Sequence, residues 1–257
     1  MPYPLVIFDL DGTLADSLPW FLRNVNSIAE RFSFRRVAEE DVEVLRGLGS
    51  REILGRLEVP LWKLPGIARH MRRLKAEHLA SIALFQGVDT MLRALADGGV
   101  RMALVSSDNE ANARRQLGEA AALFSWFDCG ASLFGKAAKF RRILKCAAVN
   151  TEQAIAIGDE VRDIEAARAA GIACGAVTWG YALPETLRAL GPDLVFERME
   201  DIASSLRSSR DPSPRSTSMS SSATRRKLNR SATLFTLRRN HGRLSASVPS
   251  RSKITSG

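Results

Sequence analysis

The sequence predicts an α/β protein with a parallel sheet core, an all-helical insert after the first strand and a disordered C-terminal tail. Three observations carry this. Short continuous apolar runs recur at Pro4–Phe8, Met102–Val105, Ala154–Ile157 and Ile172–Val177. Helical patterns lie between them, and such alternation builds a parallel sheet. One long stretch, 16–83, holds helical patterns and no convincing strand, and periodicity collapses after Ser204.

Each apolar run is short and unalternating, as in a strand buried on both faces. A weaker run, Trp126–Cys129, and the segment Leu194-Val195-Phe196 add two further strands, the last at an edge. Val88, Met91, Leu92 and Leu95 follow the i, i+3, i+4, i+7 spacing of one helix face, and Gly98-Gly99 stops that helix. Ile164, Ala167 and Ala170 repeat the pattern up to Gly171. The insert contains Phe21, Ile28, Leu45, Ile53, Leu57, Met71, Leu74 and Leu79, with Trp20 and Trp62 read as part of its core. Its linkers fall near Thr13–Ser17 and Ser81–Gln86. The expected division is therefore a core of 1–15 plus 84–204, a helical cap of 16–83 and a tail of 205–257.

The 257 residues give room for one large or two small domains. The net charge of +9 is unevenly placed. From Arg207 onward, 12 Lys+Arg face the single acid Asp211, so this segment carries +11 and the rest of the chain −2. Whole-chain basicity thus gives no reason for the folded part to bind nucleic acid. The tail, with Ser220-Ser221-Ser222 and Arg225-Arg226-Lys227, is too polar to offset chain entropy by burial. It could touch nucleic acid or an anionic surface, although Phe235 is its only aromatic residue for stacking. Three cysteines (Cys129, Cys146, Cys174) without a CxxC argue against a disulfide framework or a structural zinc site and suit a reduced cytoplasmic setting. Neither a secretory leader nor a membrane span is expected.

Four motifs carry chemistry. Asp9 and Asp11, in Asp9-Leu10-Asp11-Gly12-Thr13, point to one side at the carboxyl end of the first strand. Ligands of open α/β sheets bind at that end. Two like charges 4 Å apart repel by about 4 kcal/mol at an effective dielectric of 20, and a hard divalent cation such as magnesium relieves this. Ser106, with Ser107 beside it, follows the second run, where a hydroxyl and free N–H groups can hold a phosphate or merely cap a helix. Lys136 and Lys139 open a helix before the third run, and either could neutralise phosphate and carboxylate. Asp159 and Asp163, in Gly158-Asp159-Glu160-Val161-Arg162-Asp163, share one helix face and could reach a metal together.

In this order the motifs resemble those of the haloacid dehalogenase (HAD) superfamily hydrolases, near their phosphoglycolate phosphatase-like branch. The resemblance spans about Met1 to Ser204 and implies a Rossmann-like, HAD-like core. It implies Asp9 as nucleophile, Asp11 as general acid/base, Ser106 as phosphoryl holder and Lys136 as the active-site lysine. Lys136 is favoured because it follows Gly135, although Ala137 stands where this branch often carries proline. Ser107 and Lys139 remain candidate substrate contacts. The implied cofactor is Mg²⁺, held by Asp9, the main-chain carbonyl of Asp11, Asp159 and Asp163. The implied substrate is a small phosphorylated metabolite, with phosphoglycolate as the single best choice. Asp11 separates the chain from dehalogenases and phosphonatases, which lack that acid. Gly158 separates it from mutases, which carry Glu there. In the cap, Arg46, Gly47, Gly49 and Arg51 form either a substrate-facing loop or a helix–helix turn. Arg69, Arg72, Arg73 and Lys75 read as a solvated helix face. His70 and His78 lack metal-ligand spacing.

Overall fold

The computed structural model describes residues 3–130 and 135–207. The expected tail lies outside them except for its first three residues. Six strands form one parallel sheet: β1 (Leu5–Phe8), β2 (Arg101–Val105), β3 (Phe124–Asp128), β4 (Ala154–Gly158), β5 (Ala173–Val177) and β6 (Leu194–Phe196). Their order is β3-β2-β1-β4-β5-β6. β1 is central, with Phe8 registered against Leu104 on one side and Ile157 on the other. Strand order runs outward in opposite directions from β1, so its carboxyl end borders a topological switch point, where α/β sheets hold ligands.

Successive residues of a strand face opposite sides, and β1 shows this directly. Val6 and Phe8 join Met102, Leu104, Ile155 and Ile157 on one face, together with Met91, Leu92 and Leu95 of α5 (Val88–Asp97). Leu5 and Ile7 join Ala103, Val105 and Ala156 on the other. That face is covered by Phe140 and Ile143 of α7 (Lys136–Ala147, counted in chain order) and Ile164 and Ala167 of α8 (Val161–Ala170). Gly171, at φ 75°, ends α8 in the left-handed conformation that glycine adopts without a Cβ penalty.

Between β1 and α5 lie only helices and turns: α1 (Leu18–Phe32), α2 (Val42–Arg46), α3 (Ser50–Arg56) and α4 (Leu64–His78), with short 3-10 turns. Val25, Ile28, Leu45, Leu57 and Ile67 make a third apolar cluster of their own. The two connections to the core run side by side. Ala15 bridges Leu84 in antiparallel fashion, Asp16 N–H donates to Ala83 O at 2.9 Å, and Phe85 N–H donates to Leu14 O at 2.9 Å. The remaining helices are α6 (Glu110–Leu117), α9 (Pro184–Ala189) and α10 (Met199–Arg207).

Three expectations need correction. Trp62 is not core: it stands 78 % exposed beside Lys63, whose ammonium lies 5.3 Å from its ring. The fold does not stop at Ser204, because α10 runs to Arg207 and buries Leu206. Met199, Ile202, Ala203 and Leu206 repeat at i, i+3, i+4, i+7, which gives this last helix its reason to dock. β3 begins two residues earlier than expected, at Phe124. Among the described residues no helix is long and apolar enough to cross a membrane.

Candidate active site

The site is built where β1, β2 and β4 end. Asp9 follows β1 directly, is 4 % exposed, and donates its N–H to Ile157 O at 2.9 Å. The chain then turns tightly, with Leu10 O accepting from the N–H groups of Leu14 (2.9 Å) and Ala15 (2.8 Å). Gly12 holds this turn at φ 80°. A Cβ there would lie 2.1 Å from Asp159 Oδ2 and 2.5 Å from Tyr181 Cδ2. Gly12→Ala therefore combines a left-handed backbone cost of about 1–2 kcal/mol with about 1–3 kcal/mol of overpacking. Thermal unfolding is expected to show Tm lowered by roughly 5–15 °C. An unchanged Tm would contradict the packing of Asp159 against this turn.

Asp159 is fully buried. Its Oδ1 accepts from Thr13 Oγ1 at 2.7 Å and its Oδ2 from Tyr181 N–H at 2.8 Å. Asp163, one helical turn on, accepts at Oδ2 from the N–H groups of Asp159 (3.1 Å) and Glu160 (2.9 Å). Gly158 makes this possible, because a Cβ there would lie 2.3 Å from Asp163 Oδ2. Lys136 stands at the start of α7 and reaches between two acids. Its Nζ is 2.5 Å from Asp163 Oδ1 and 2.9 Å from Asp9 Oδ2.

The electrostatics follow from burial. Desolvation pushes the Asp159 carboxyl well above its usual range, and Glu160, Asp163 and Asp9 add to the rise. Burial likewise raises Asp9, with Lys136 opposing. Burial also works against ionised Asp163, but Lys136 and Arg162 outweigh it and hold its pKa down. For Lys136, burial is overcome by Asp163 and Asp9, so its pKa is raised and it stays an ammonium. Fully ionised, Asp9, Asp159, Glu160 and Asp163 against Lys136 and Arg162 leave a charge of −2.

One divalent cation would cancel that charge. One carboxylate oxygen each from Asp9, Asp159 and Asp163 lies within 4.8 Å of the others, all from buried residues. Oδ2 of Asp9 is itself buried and meets the Lys136 ammonium at 2.9 Å. Three buried hard oxygen donors, in a cluster whose acids outnumber its cations by two, fit a magnesium-type ion. The Asp11 carboxylate is not in this set. It turns to Lys75, at 2.6 Å, so any part Asp11 has toward a metal rests with its main-chain carbonyl.

Ser106 is 2 % exposed, and its Oγ accepts from Asp108 N–H at 3.1 Å. The helix cap behind it is Asn109, whose side chain accepts from Asn112 N–H at 2.9 Å, so Ser106 does not serve as the cap. Ser106, Ser107, Lys136 and Arg162 line a small crevice at this sheet end. Lys139 borders it too, but the expectation of Lys139 as a substrate contact is corrected. Its Nζ donates to the carbonyl oxygens of Ser106 (3.0 Å), Asp128 (3.1 Å) and Gly130 (2.7 Å). An ammonium has three donors, and all are taken.

Sequence reasoning missed several members. The sequence places Lys75 in a solvated charge run, yet it is 4 % exposed and pairs with Asp11 and Asp108. A signal existed: Lys75 falls four residues after Met71 and eight after Ile67, on the apolar stripe of α4. Arg162, inside the fourth motif, joins the crevice while pairing with Glu160. Tyr181 had no signal, since its role comes from its main-chain N–H. Arg46 is a clamp: its Nε donates to Tyr181 O at 2.9 Å and its Nη1 meets Glu43 at 2.7 Å. His78 accepts from Trp20 Nε1 at 3.2 Å.

Residues 6–177 match the family model described as haloacid dehalogenase-like hydrolase. The chain belongs to the haloacid dehalogenase-like hydrolases. Within this family it is 31 % identical over 199 residues to phosphoglycolate phosphatase of Synechococcus elongatus, a match covering 77 % of this chain and 94 % of that protein. It is also 31 % identical over 217 residues to phosphoglycolate phosphatase 1 of Pseudomonas aeruginosa, covering 77 % and 78 %. Among solved structures, a haloacid dehalogenase-like family protein from Streptococcus pneumoniae aligns with a TM-score of 0.66 at 20 % identity, covering 80 % of this chain and 99 % of that one. The last match speaks to fold alone. The haloacid dehalogenase-like fold thus delivers its four motif segments to one sheet end, and the buried acids and Lys136 meet there.

Proposed function

We propose that this hydrolase is a Mg²⁺-dependent phosphatase acting on a small phosphorylated metabolite, with phosphoglycolate as the candidate substrate. The observation that carries the reading is Lys136 set between Asp9 and Asp163, beside Ser106, at the carboxyl end of the central strand. The relatives named phosphoglycolate phosphatase support the choice of ester.

Asp9 is assigned as nucleophile. One of its oxygens forms a bond to phosphorus as the P–O bond of the ester breaks. The electron pair leaves with the ester oxygen, which takes a proton from the Asp11 carboxyl. In the second step Asp11, now a carboxylate, removes a proton from water as that water attacks phosphorus. The P–O bond to Asp9 breaks, inorganic phosphate leaves, and Asp9 is restored. Splitting the displacement in two is the use of a carboxylate nucleophile. Ser106 holds the phosphoryl oxygens, and Lys136 offsets charge on both phosphate and Asp9. Asp9, Asp159 and Asp163 would hold Mg²⁺, which supplies charge neutralisation at the phosphoryl group.

We assign residues 16–83 as a cap that closes over this end and excludes water. Its paired linkers at Ala15 and Leu84 are the hinge. Every residue assigned a role lies before Arg207, so the basic tail is assigned no catalytic part. The test is phosphate release over a panel of phosphometabolites and aryl phosphates, with the full chain and a form truncated after Arg207. Equal Mg²⁺-dependent release by both is expected, abolished by EDTA and restored by Mg²⁺. No release from any ester would refute the phosphatase reading.

A further inference from the structure

The loop after β5 touches Asp159 on one side and the helical insert on the other. Tyr181 N–H donates to Asp159 Oδ2 at 2.8 Å, and Ala182 N–H donates to Asp159 O at 3.3 Å. Gly180 approaches so closely that a Cβ there would lie 2.3 Å from Asp159 Cβ. Close-packed contacts of this kind transmit a shift instead of absorbing it. The placing of this loop therefore helps to decide where the Asp159 carboxylate points.

Arg46, the last residue of α2 in the insert, holds the far side of the loop. Its Nε donates to Tyr181 O at 2.9 Å and its Nη2 to Gly180 O at 3.3 Å, while its own main-chain O accepts from Leu183 N–H at 3.1 Å. The planar guanidinium thus spans two successive carbonyls, as its rigid fork allows. Gly180 O and Tyr181 N–H belong to one peptide unit, which is planar and trans. Its oxygen is held by Arg46, and its N–H, pointing the opposite way, is aimed at Asp159. Rotating this plane away from Arg46 also turns its N–H away from Asp159. Hydrogen bonds joined in such a chain polarise and strengthen one another. Phe21 of α1 adds a further insert contact, its ring 5.8 Å from that of Tyr181.

We propose that Arg46 is a positioning residue for the metal site: through the Gly180–Tyr181 peptide it sets the Asp159 carboxylate for Mg²⁺. This rests on the Mg²⁺ assignment made above and extends it to the insert. Arg46 belongs to the insert and Asp159 to the core, so the site has its full metal affinity only while the insert is docked. Coupling between two such events is reciprocal, and bound Mg²⁺ in turn holds the insert down.

The test reads metal binding itself. Mg²⁺ is titrated calorimetrically into the full chain, freed of metal with EDTA, as wild type, Arg46→Ala and Arg46→Lys. Arg46→Ala is expected to weaken Mg²⁺ binding on the order of 10–100-fold, the scale for loss of a group that orients a metal ligand. Arg46→Lys recovers part of the affinity, because an ammonium can still donate to one of the two carbonyls. Hydrogen exchange of Leu183 N–H, which is bonded to Arg46 O across the insert boundary, reports docking and needs no variant. Mg²⁺ is expected to slow this exchange in wild type and to lose that effect in Arg46→Ala. A lower Tm for Arg46→Ala with Mg²⁺ affinity unchanged would make Arg46 a structural clamp and overturn the proposal. Exchange of Leu183 N–H indifferent to Mg²⁺ in wild type would overturn it as well. Wild type that binds no Mg²⁺ removes the metal assignment, and the proposal with it.

Discussion

Asp9→Asn is expected to abolish phosphate release, with a loss on the order of 10⁴-fold or more, the scale seen when a covalent nucleophile is deleted. The substitution keeps shape and removes only the nucleophilic oxygen and its charge. Asp9 is buried, and its carboxyl is raised by desolvation despite Lys136. The folded state without a cation therefore disfavours the ionised form. In EDTA, Asp9→Asn is expected to keep or raise Tm, because a strained charge is gone. With Mg²⁺ the order reverses: wild type gains stability by mass action, and the variant gains less because one of three carboxylates is missing. Loss of activity together with collapse of Tm in EDTA would assign Asp9 a structural role. Full activity in Asp9→Asn would remove the nucleophile assignment altogether.

That Asp9 could be found from sequence reflects how local its signal is. The apolar run before it is buried at every position, and the residue after such a run must emerge at a sheet end. The same reasoning located Ser106 and Asp159, since β2 and β4 are equally continuous. Strand order was not legible, because parallel pairing is set by crossovers and not by the strands' own composition. Lys75 was lost for a different reason. A lysine in a basic helix is ordinarily solvated, and only two acids from distant segments, Asp11 and Asp108, make its burial favourable. Trp62 failed in the opposite direction: a large apolar residue invites a core assignment, but its short 3-10 turn leaves the ring outward. Tyr181 contributes through a backbone N–H, which no side-chain pattern encodes.

The two lysines of α7 give the second large expected effect, and they separate turnover from stability. Lys136 and Lys139 lie three residues apart on one helix face, about 4.5 Å along its axis at 1.5 Å per residue. That offset sends them to different places. Lys136, the first residue of the helix, reaches Asp9 and Asp163, where the proposed phosphoryl transfer would change the charge. Lys139 reaches the carbonyls that end β2 and β3, where nothing changes. Lys136→Met is expected to lower kcat per folded molecule on the order of 10²–10³-fold, as for loss of one preorganised electrostatic group. Lys139→Met leaves three carbonyl oxygens without their donor, at about 1–3 kcal/mol for each one that stays buried and unpaired. Its Tm is expected to fall while kcat per folded molecule stays near wild type. Folded fraction by circular dichroism and kcat on the same samples distinguish the two. The reverse pattern would move the active-site role one turn along the helix, and the ion contact of Lys136 with Asp9 would then be a packing feature of α7.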